Sequence, residues 1–543
     1  MNFETYKASI NENGLRENEY IVGIDLGTTH SVISYWNRQK SMPEPIDMSN
    51  GFGKIPMPSV IQNRKEGLDE EWIVGEEALN SYIIYPDETV LSVKSLMGSD
   101  TSVVLNNKNY SPEELSAKIL KTLMKQLINM NPKSECVGVV VSVPYDFDDA
   151  AKKATMRACQ MAGLSNQLIS LIEEPKAAAL AYNYHHPFKK DETILVFDFG
   201  GGTLDITVFK VQNISDKEQT LKVLSEGGEA KHGGDVLDHL LYDYFMNVII
   251  EKGIDVTNLS KESKADLMIR AKETKERLSG AMKVRVPFAF LMPPFVLPFT
   301  RSQLEEIGSS FIEKTKNLIY RSLQDAYQGA IKPEEIDIIL LEGGSSQMPW
   351  IKELMIQIFK DEQKIYCSDR PALDISIGAT LYAAMKLGVH NQKDLLTGRQ
   401  IVNFEVCVPH DIGFEIDLNN KKTFYSMISR GTPYRLAKRS QVFTVTGATP
   451  EDMTKLSVRI LERIHKGKGV EDCSLIGDVE ILGLPKRPSG ETQLRIELSI
   501  EEDSGIVKGK VEDIGFKDIH EPSGFVKVFV PLRHKMTEIT DER

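Results

Sequence analysis

From residue 21 to about 387, apolar runs of strand length alternate with segments whose apolar positions recur every three or four residues, the pattern of an α/β protein. Ser111, Pro112, Glu113 and Glu114 form a capping-box sequence ahead of a helix whose apolar face is Leu115, Ile119, Leu123 and Leu127. Residues 137–143 read as a strand, and 149–161 as a helix stopped by Gly163. The apolar run at 168–172 leads into Glu173-Glu174-Pro175 and a segment of strong helix propensity at 177–182, which places a carboxylate at a helix entrance. Long helices are predicted over 263–279 and 302–327. Beyond Gly388 the texture changes: residues 390–399 are polar and aperiodic and read as a linker. Short alternating strands follow at 441–445, 456–460, 476–482 and 494–500, separated by Pro485, Pro488-Ser489-Gly490 and Asp503-Ser504-Gly505, as in an antiparallel sandwich with one buried face per strand. No helical domain is expected after the last strand, near residue 530.

Two strand runs end in the same chemistry. Ile24-Asp25-Leu26-Gly27-Thr28-Thr29 and Phe197-Asp198-Phe199-Gly200-Gly201-Gly202-Thr203 each close an apolar run with a carboxylate, turn on glycine and resume period-2 alternation. Glycine lets backbone N–H groups approach an anion, and threonine hydroxyls add donors. One such hairpin alone reads as an ordinary β-turn; two can clamp one polyphosphate. The aspartates, too close to the phosphates to bind them directly, suit a hydrated divalent cation. A P-loop and a dinucleotide fingerprint are both excluded, because each opens a helix and these turns open strands. A third segment, a buried run at 336–341 followed by Glu342-Gly343-Gly344-Ser345-Ser346 and a helix start at Pro349, is a seat for a phosphate or ribose, or a plain βα connection. Mg-nucleotide is the expected ligand.

Composition narrows the class. At 543 residues, two or three domains are expected, and 41% apolar with 26% charged residues is globular usage. A net charge of -13 argues against nucleic-acid and anionic-membrane partners. Neither a spanning apolar run nor a signal peptide is found, so a cytoplasmic location is expected. Five scattered cysteines suit reduced core thiols, and ten histidines form no ligand cluster.

Together these segments resemble the seventy-kilodalton heat shock protein family, the DnaK-type chaperones, over nearly all of the chain after Tyr20. The carrying motifs are the two hairpins, Val141-Ser142-Val143-Pro144, Glu174-Pro175, Gly233-Gly234-Asp235, Gly343-Gly344-Ser345 and Gly378-Ala379, with Ile412-Gly413-Phe414-Glu415 and Ser440-Gln441-Val442-Phe443 in the sandwich. The resemblance implies an actin-like two-lobed ATPase (20–388), a linker (389–408) and an antiparallel β-sandwich (409–535), flanked by a polar extension (1–19) and a tail (536–543), with no helical lid. It implies slow Mg-dependent hydrolysis of ATP to ADP. Asp25, Glu174 and Asp198 would hold the Mg2+ water shell and the attacking water, and Lys94 would be the catalytic lysine. Gly27, Thr28, Thr29, Gly200, Gly201, Gly202 and Thr203 would cradle the phosphates. Gly233, Gly234, Lys275, Ser279, Gly343, Gly344, Ser345 and Gln347 would surround the rest of the nucleotide. Phe414, Ile416, Phe443 and Leu456 would take an extended apolar peptide.

The chain also departs from the family. Gln347 replaces an adenine-stacking arginine, Glu342 puts a carboxylate where a small apolar residue ends the strand, and Asp417 replaces an apolar arch residue. Ser170 and Asp146 alter the surface read by J-domain cochaperones, and Asn403 with Glu405 interrupt the apolar linker, so weak coupling between ATP and peptide is expected. Unfolded polypeptide is the expected partner, with a J-domain cochaperone and an exchange factor as further ones. Two rival functions stand beside this: a nucleotide-gated protein with one dedicated client, and a small-molecule kinase of the same superfold.

Overall fold

The computed structural model describes residues 15–48, 56–66, 69–130, 132–215, 218–327, 329–368, 370–389, 401–405, 407–408, 410–418, 421–446, 454–463, 469–501 and 505–529. Most of the predicted N-terminal extension, the linker between 390 and 400 and the tail lie outside the described residues. The chain forms two compact units, Met1–Asp146 with Ala154–Phe404, and Phe147–Lys153 with Glu405–Arg543.

Among the described residues the first unit carries two six-stranded sheets that repeat one plan. In the first, β1 (Glu19–Leu26) forms an antiparallel hairpin with β2 (His30–Asn37) and pairs in parallel with β3 (Glu135–Val143), which continues to β4 (Leu168–Glu173). In the second, β5 (Thr193–Phe199) forms the hairpin with β6 (Thr203–Ser215), followed by β7 (Glu218–Ala230), and pairs in parallel with β8 (Ile338–Glu342) and then β9 (Ile365–Cys367). All seven residues of β5 are buried, as expected of a strand covered on both faces. Helices α1 (Glu174–His185) and α6 (Pro371–Lys386) supply an alanine-rich layer, with Ala177, Ala178, Ala179 and Ala383 buried in one core with Ile194, Val196 and Leu340. This is the actin-like two-lobed plan expected from the sequence.

Most predicted helices form: Ser111 and Glu114 exchange both capping-box hydrogen bonds ahead of Pro112–Met130, and Asp149–Met161 ends before Gly163. Between α2 (Gly234–Glu251), α3 (Lys261–Gly280) and α6, one expectation is corrected. The single helix over 302–327 is two, α4 (Arg301–Ile307) and α5 (Ser309–Gln324), because Gly308, a poor helix former, closes α4 with its N–H on Leu304 O and restarts the chain. Ile401–Glu405 also differs from expectation. It is the outermost strand beside β7, and alternation turns Asn403 to solvent while Phe404 packs on Phe209 at 6.1 Å, so the polar interruption does not prevent pairing.

The second unit is an antiparallel sandwich. One sheet runs β11 (Lys421–Ile428), β10 (Asp411–Leu418), β13 (Lys455–Arg463), β14 (Ser474–Leu482); the other runs β12 (Lys438–Val445), β15 (Thr492–Ile500), β16 (Val507–Asp513), β17 (Val526–Phe529). On β15 the predicted alternation holds, with Leu494, Ile496, Leu498 and Ile500 buried against Phe414, Ile460 and Val479. Among the described residues no helix is long and apolar enough to cross a membrane, and no disulfide joins the five cysteines.

Candidate nucleotide site

The carboxylates come to one place because each lies at a strand end. Asp25 is the next-to-last residue of β1, Asp198 the next-to-last of β5, and Glu174 is the first residue of α1, directly after β4. The two hairpin turns face each other across a cleft of about 390 Å³, lined by Asp25, Gly27, Thr28 and Thr29 on one side and by Asp198, Gly200, Gly201 and Thr203 on the other. They approach so closely that a Cβ on Gly201 would lie 1.9 Å from Thr29 Oγ1. A side chain there would have to displace Thr29. Gly343 is required for two reasons: its φ is +78°, and a Cβ would meet Phe199 O at 2.4 Å and Asp198 Oδ1 at 2.8 Å.

Lys94 and Glu174 form a buried ion pair on the floor of the cleft. Burial alone would lower the Lys94 pKa, but Glu174, Asp25 and Asp198 together hold it above its ordinary value. Burial, then Glu174, pushes Asp25 up to about 6, against the hydrogen bond it accepts from Ser142 Oγ at 2.8 Å. Burial with Glu174 and Asp25 raises Asp198 far above the carboxylate range. A fourth carboxylate, Asp205, was missed by sequence reasoning. It faces Asp198 across the β5–β6 hairpin, is wholly buried, and neither of its oxygens meets a hydrogen-bond donor. Ligand oxygens of Glu174, Asp198 and Asp205 lie within 4.8 Å of one another. Buried, mutually repelling, hard oxygen donors with orphaned lone pairs fit a divalent cation such as Mg2+, whose charge would return them to the ionised state. In the sequence Asp205 occupies one of the polar positions of an alternating strand, which gave no sign of its role.

Residues 21–520 match the family model described as Hsp70 protein. The chain belongs to the Hsp70 family. It is 32% identical to chaperone protein DnaK of Thermosipho melanesiensis over 505 residues, covering 92% of this chain and 78% of that protein. The same identity holds for DnaK of Thermotoga petrophila over 532 residues, 96% and 82% of the two chains, and for DnaK of Mycoplasmopsis agalactiae over 496, 89% and 75%.

Most of the remaining site residues expected from the Hsp70 resemblance gather at the other end of the cleft. Lys275 and Ser279 project from α3, and Gly343, Gly344 and Ser345 form the turn after β8. Lys275 Nζ is fixed at 2.8 Å from Asp238 and at 2.8 Å from Gly234 O. Gly233 and Gly234 do not line the cleft; they start α2 and tie it to the second hairpin, through Gly234 N–H on Gly200 O and Asp235 N–H on Gly201 O. Gly202 lies behind Thr28. Gln347 is exposed and outside the lining, where Met348 presents an apolar surface instead. The tight turn after Gly343 rotates one residue to solvent and the next inward, which spacing alone does not reveal.

Glu342 is buried at the end of β8, paired in register with Asp198, and its Oε2 has no hydrogen-bond partner. Burial first, then Asp374 and Asp198, raises its pKa well above the carboxylate range. Folded Glu342 therefore keeps a proton that the unfolded chain loses above about pH 4.3, so stability falls as pH rises between the two pKa values. Glu342→Val is expected to stabilise the first unit by about 1–3 kcal/mol at pH 8 and less at pH 6. Urea unfolding at both pH values measures this. A wild type no more pH-dependent than the variant would refute it.

In the sandwich, Phe414 is fully buried and belongs to the core, whereas Ile416, Phe443 and Leu456 are half-buried around it. Tyr425, not foreseen, completes the group: it pairs with Phe414 across β10–β11 and meets the Phe443 ring edge-on at 5.4 Å. Ser170 is buried within β4, and Asp146 acts electrostatically on Asp205.

Proposed function

We propose that this Hsp70-family protein, an ATP-dependent molecular chaperone, hydrolyses ATP slowly at the cleft between its two glycine hairpins and binds extended apolar polypeptide on its sandwich. The observation that carries the first half is the meeting of both phosphate turns over the Lys94–Glu174 pair and the Asp25, Asp198 and Asp205 carboxylates. Mg2+ held through water by Asp25, Glu174 and Asp198 would screen the phosphate oxygens, and the hairpin N–H groups and Thr28, Thr29 and Thr203 would fix them. Gly343, Gly344, Ser345, Lys275 and Ser279 would border the nucleoside. Lys94 and Glu174 would orient the attacking water, since the positioned charges act where negative charge develops. Free thiols and the absence of a described spanning helix support a cytoplasmic setting. Measuring phosphate release from Mg-ATP with no other substrate tests this: release without an acceptor supports the ATPase, whereas turnover only with an added sugar would make it a kinase.

On the sandwich, Ile416, Tyr425, Phe443 and Leu456 offer one apolar patch over Phe414, which suits a side chain of an extended peptide whose backbone pairs alongside. A charge in such a patch would face the ligand's apolar group without compensation, so Leu456→Asp is expected to weaken binding of a Leu-rich peptide by roughly 10-fold or more. Fluorescence anisotropy reads the loss; unchanged affinity would place the peptide elsewhere.

A further inference from the structure

Two basic side chains that this reading does not use line the same cleft. His30 begins β2 directly after Thr28 and Thr29, and Lys272 stands on α3 one turn before Lys275; both line the cavity. Lys272, Lys275, Glu276 and Ser279 have the spacing of a single helix face, so that face of α3 is turned to the ligand. Lys275 is committed to Asp238 and the Gly234 carbonyl. His30 is different. Its side chain is exposed to the cleft, yet the protein around it and then the Lys272 charge lower its pKa to about 4. Glu76, in the first turn of helix Glu76–Ser81, pulls weakly the other way. Asp235, across the cleft at the start of α2, also feels Lys272. Without an anion in the cleft, His30 is therefore neutral at pH 7.

We propose that His30 and Lys272 form a two-sided clasp on the sugar-diphosphate part of the bound nucleotide, and that binding draws a proton from solvent onto His30. The inference rests on the nucleotide reading of the cleft. Desolvation first and the Lys272 charge second keep His30 neutral, and a diphosphate between the two groups would counter both by attracting each of them. An opposite charge at that range raises a pKa by roughly 1–3 units, and here it also offsets the effect of Lys272. The proton comes from solvent, so the nucleotide binds as an anion and His30 leaves the encounter as an imidazolium donating to it. The sign follows: a group whose pKa is higher in the complex takes up protons on binding, and affinity falls as pH rises through the pKa of the complex. The clasp favours ligands with two phosphates over one.

The test is calorimetric titration of the full chain with ADP at pH 6.5 in two buffers of different ionisation enthalpy, which counts protons exchanged on binding. Wild type is compared with His30→Gln, because protons released by the site carboxylates are common to both and cancel. The expected difference is an uptake present only in wild type, up to roughly 0.7 proton at pH 6.5 when the diphosphate raises the His30 pKa by about 3 units. Lys272→Gln removes the other arm of the clasp and should weaken ADP binding while leaving the proton uptake on His30 in place. If the His30→Gln protein folds poorly, the His30 ring resonance followed by NMR with and without ADP reads the same shift directly. Equal proton counts in wild type and His30→Gln, or a His30 resonance whose titration ADP does not move, would overturn the proposal. Failure of ADP to bind either protein would overturn the nucleotide reading itself, and this inference with it.

Discussion

Lys94→Met is expected to slow single-turnover ATP hydrolysis by roughly 10²- to 10³-fold, about 3–4 kcal/mol of transition-state stabilisation, while ADP affinity stays within a few fold. The asymmetry follows from what surrounds the lysine. Its ammonium is buried and paired to Glu174, and it sits among carboxylates whose pKa values burial already raises, Asp25 to about 6 and Asp198 well above its ordinary value. When the ammonium is removed, the cluster can answer by binding a proton, so ground-state binding is buffered. The reacting γ-phosphate has no such substitute, because charge that develops on the transferring oxygens requires a cation already in position. Rapid-quench assays on pre-bound ATP separate chemistry from binding, and calorimetry with ADP supplies the control. Thr203→Ala, which removes one donor among several in the cradle, should cost less than Lys94→Met. Unchanged hydrolysis in Lys94→Met would remove Lys94 from the chemistry.

Lys94 also marks where sequence reading ends. The paired hairpins were legible because phosphate binding needs glycine, hydroxyls and a carboxylate within a few adjacent positions, and the structure brings both turns to one cleft. Lys94 carries no such local pattern. It lies in the short turn Lys94–Leu96, and only the resemblance to Hsp70 proteins distinguished it from a solvated lysine. Asp205 and Tyr425 were hidden for a related reason: each acquires its role from a cross-strand partner, Asp198 and Phe414, whose register cannot be read before the hairpin is built. Gln347, expected beside the nucleotide, is turned to solvent by the tight turn after Gly343, which puts Met348 on the cleft wall. Alternation, by contrast, made the sandwich legible, since β15 keeps its period of two without interruption. It also explains why Asn403 does not stop Ile401–Glu405 from pairing, a consequence that residue identity alone had concealed.

Arg487→Ala is expected to destabilise the sandwich by about 3–5 kcal/mol, and to lower its melting transition by on the order of 10 °C or more. Arg487 reaches from the turn after β14 to Asp513 at the end of β16, in a bidentate pair at 2.8 and 2.9 Å, and also donates to Glu521 O at 2.8 Å. Both partners are buried. Asp513 further accepts the backbone N–H groups of Gly515 and Ser523, so one carboxylate fastens a turn, a strand end and a loop. Burial would raise its pKa, but Arg487 and the Ser523 and Gly515 donors bring it down to about 2. A pKa below that of the unfolded chain gives stability that is complete above about pH 4 and lost as pH falls through about 2, a contribution of roughly 2–3 kcal/mol. In Arg487→Ala the orphaned carboxylate keeps only its Ser523 and Gly515 donors, so its pKa should rise and the acid loss should begin at higher pH and be smaller. Scanning calorimetry at pH 7 and pH 3, with and without Mg-ADP, reads both effects, because the nucleotide marks the transition of the first unit and leaves the other to the sandwich. A fall of under about 1 kcal/mol in the sandwich transition, with an unaltered acid slope, would show that the clamp contributes no more than an exposed ion pair.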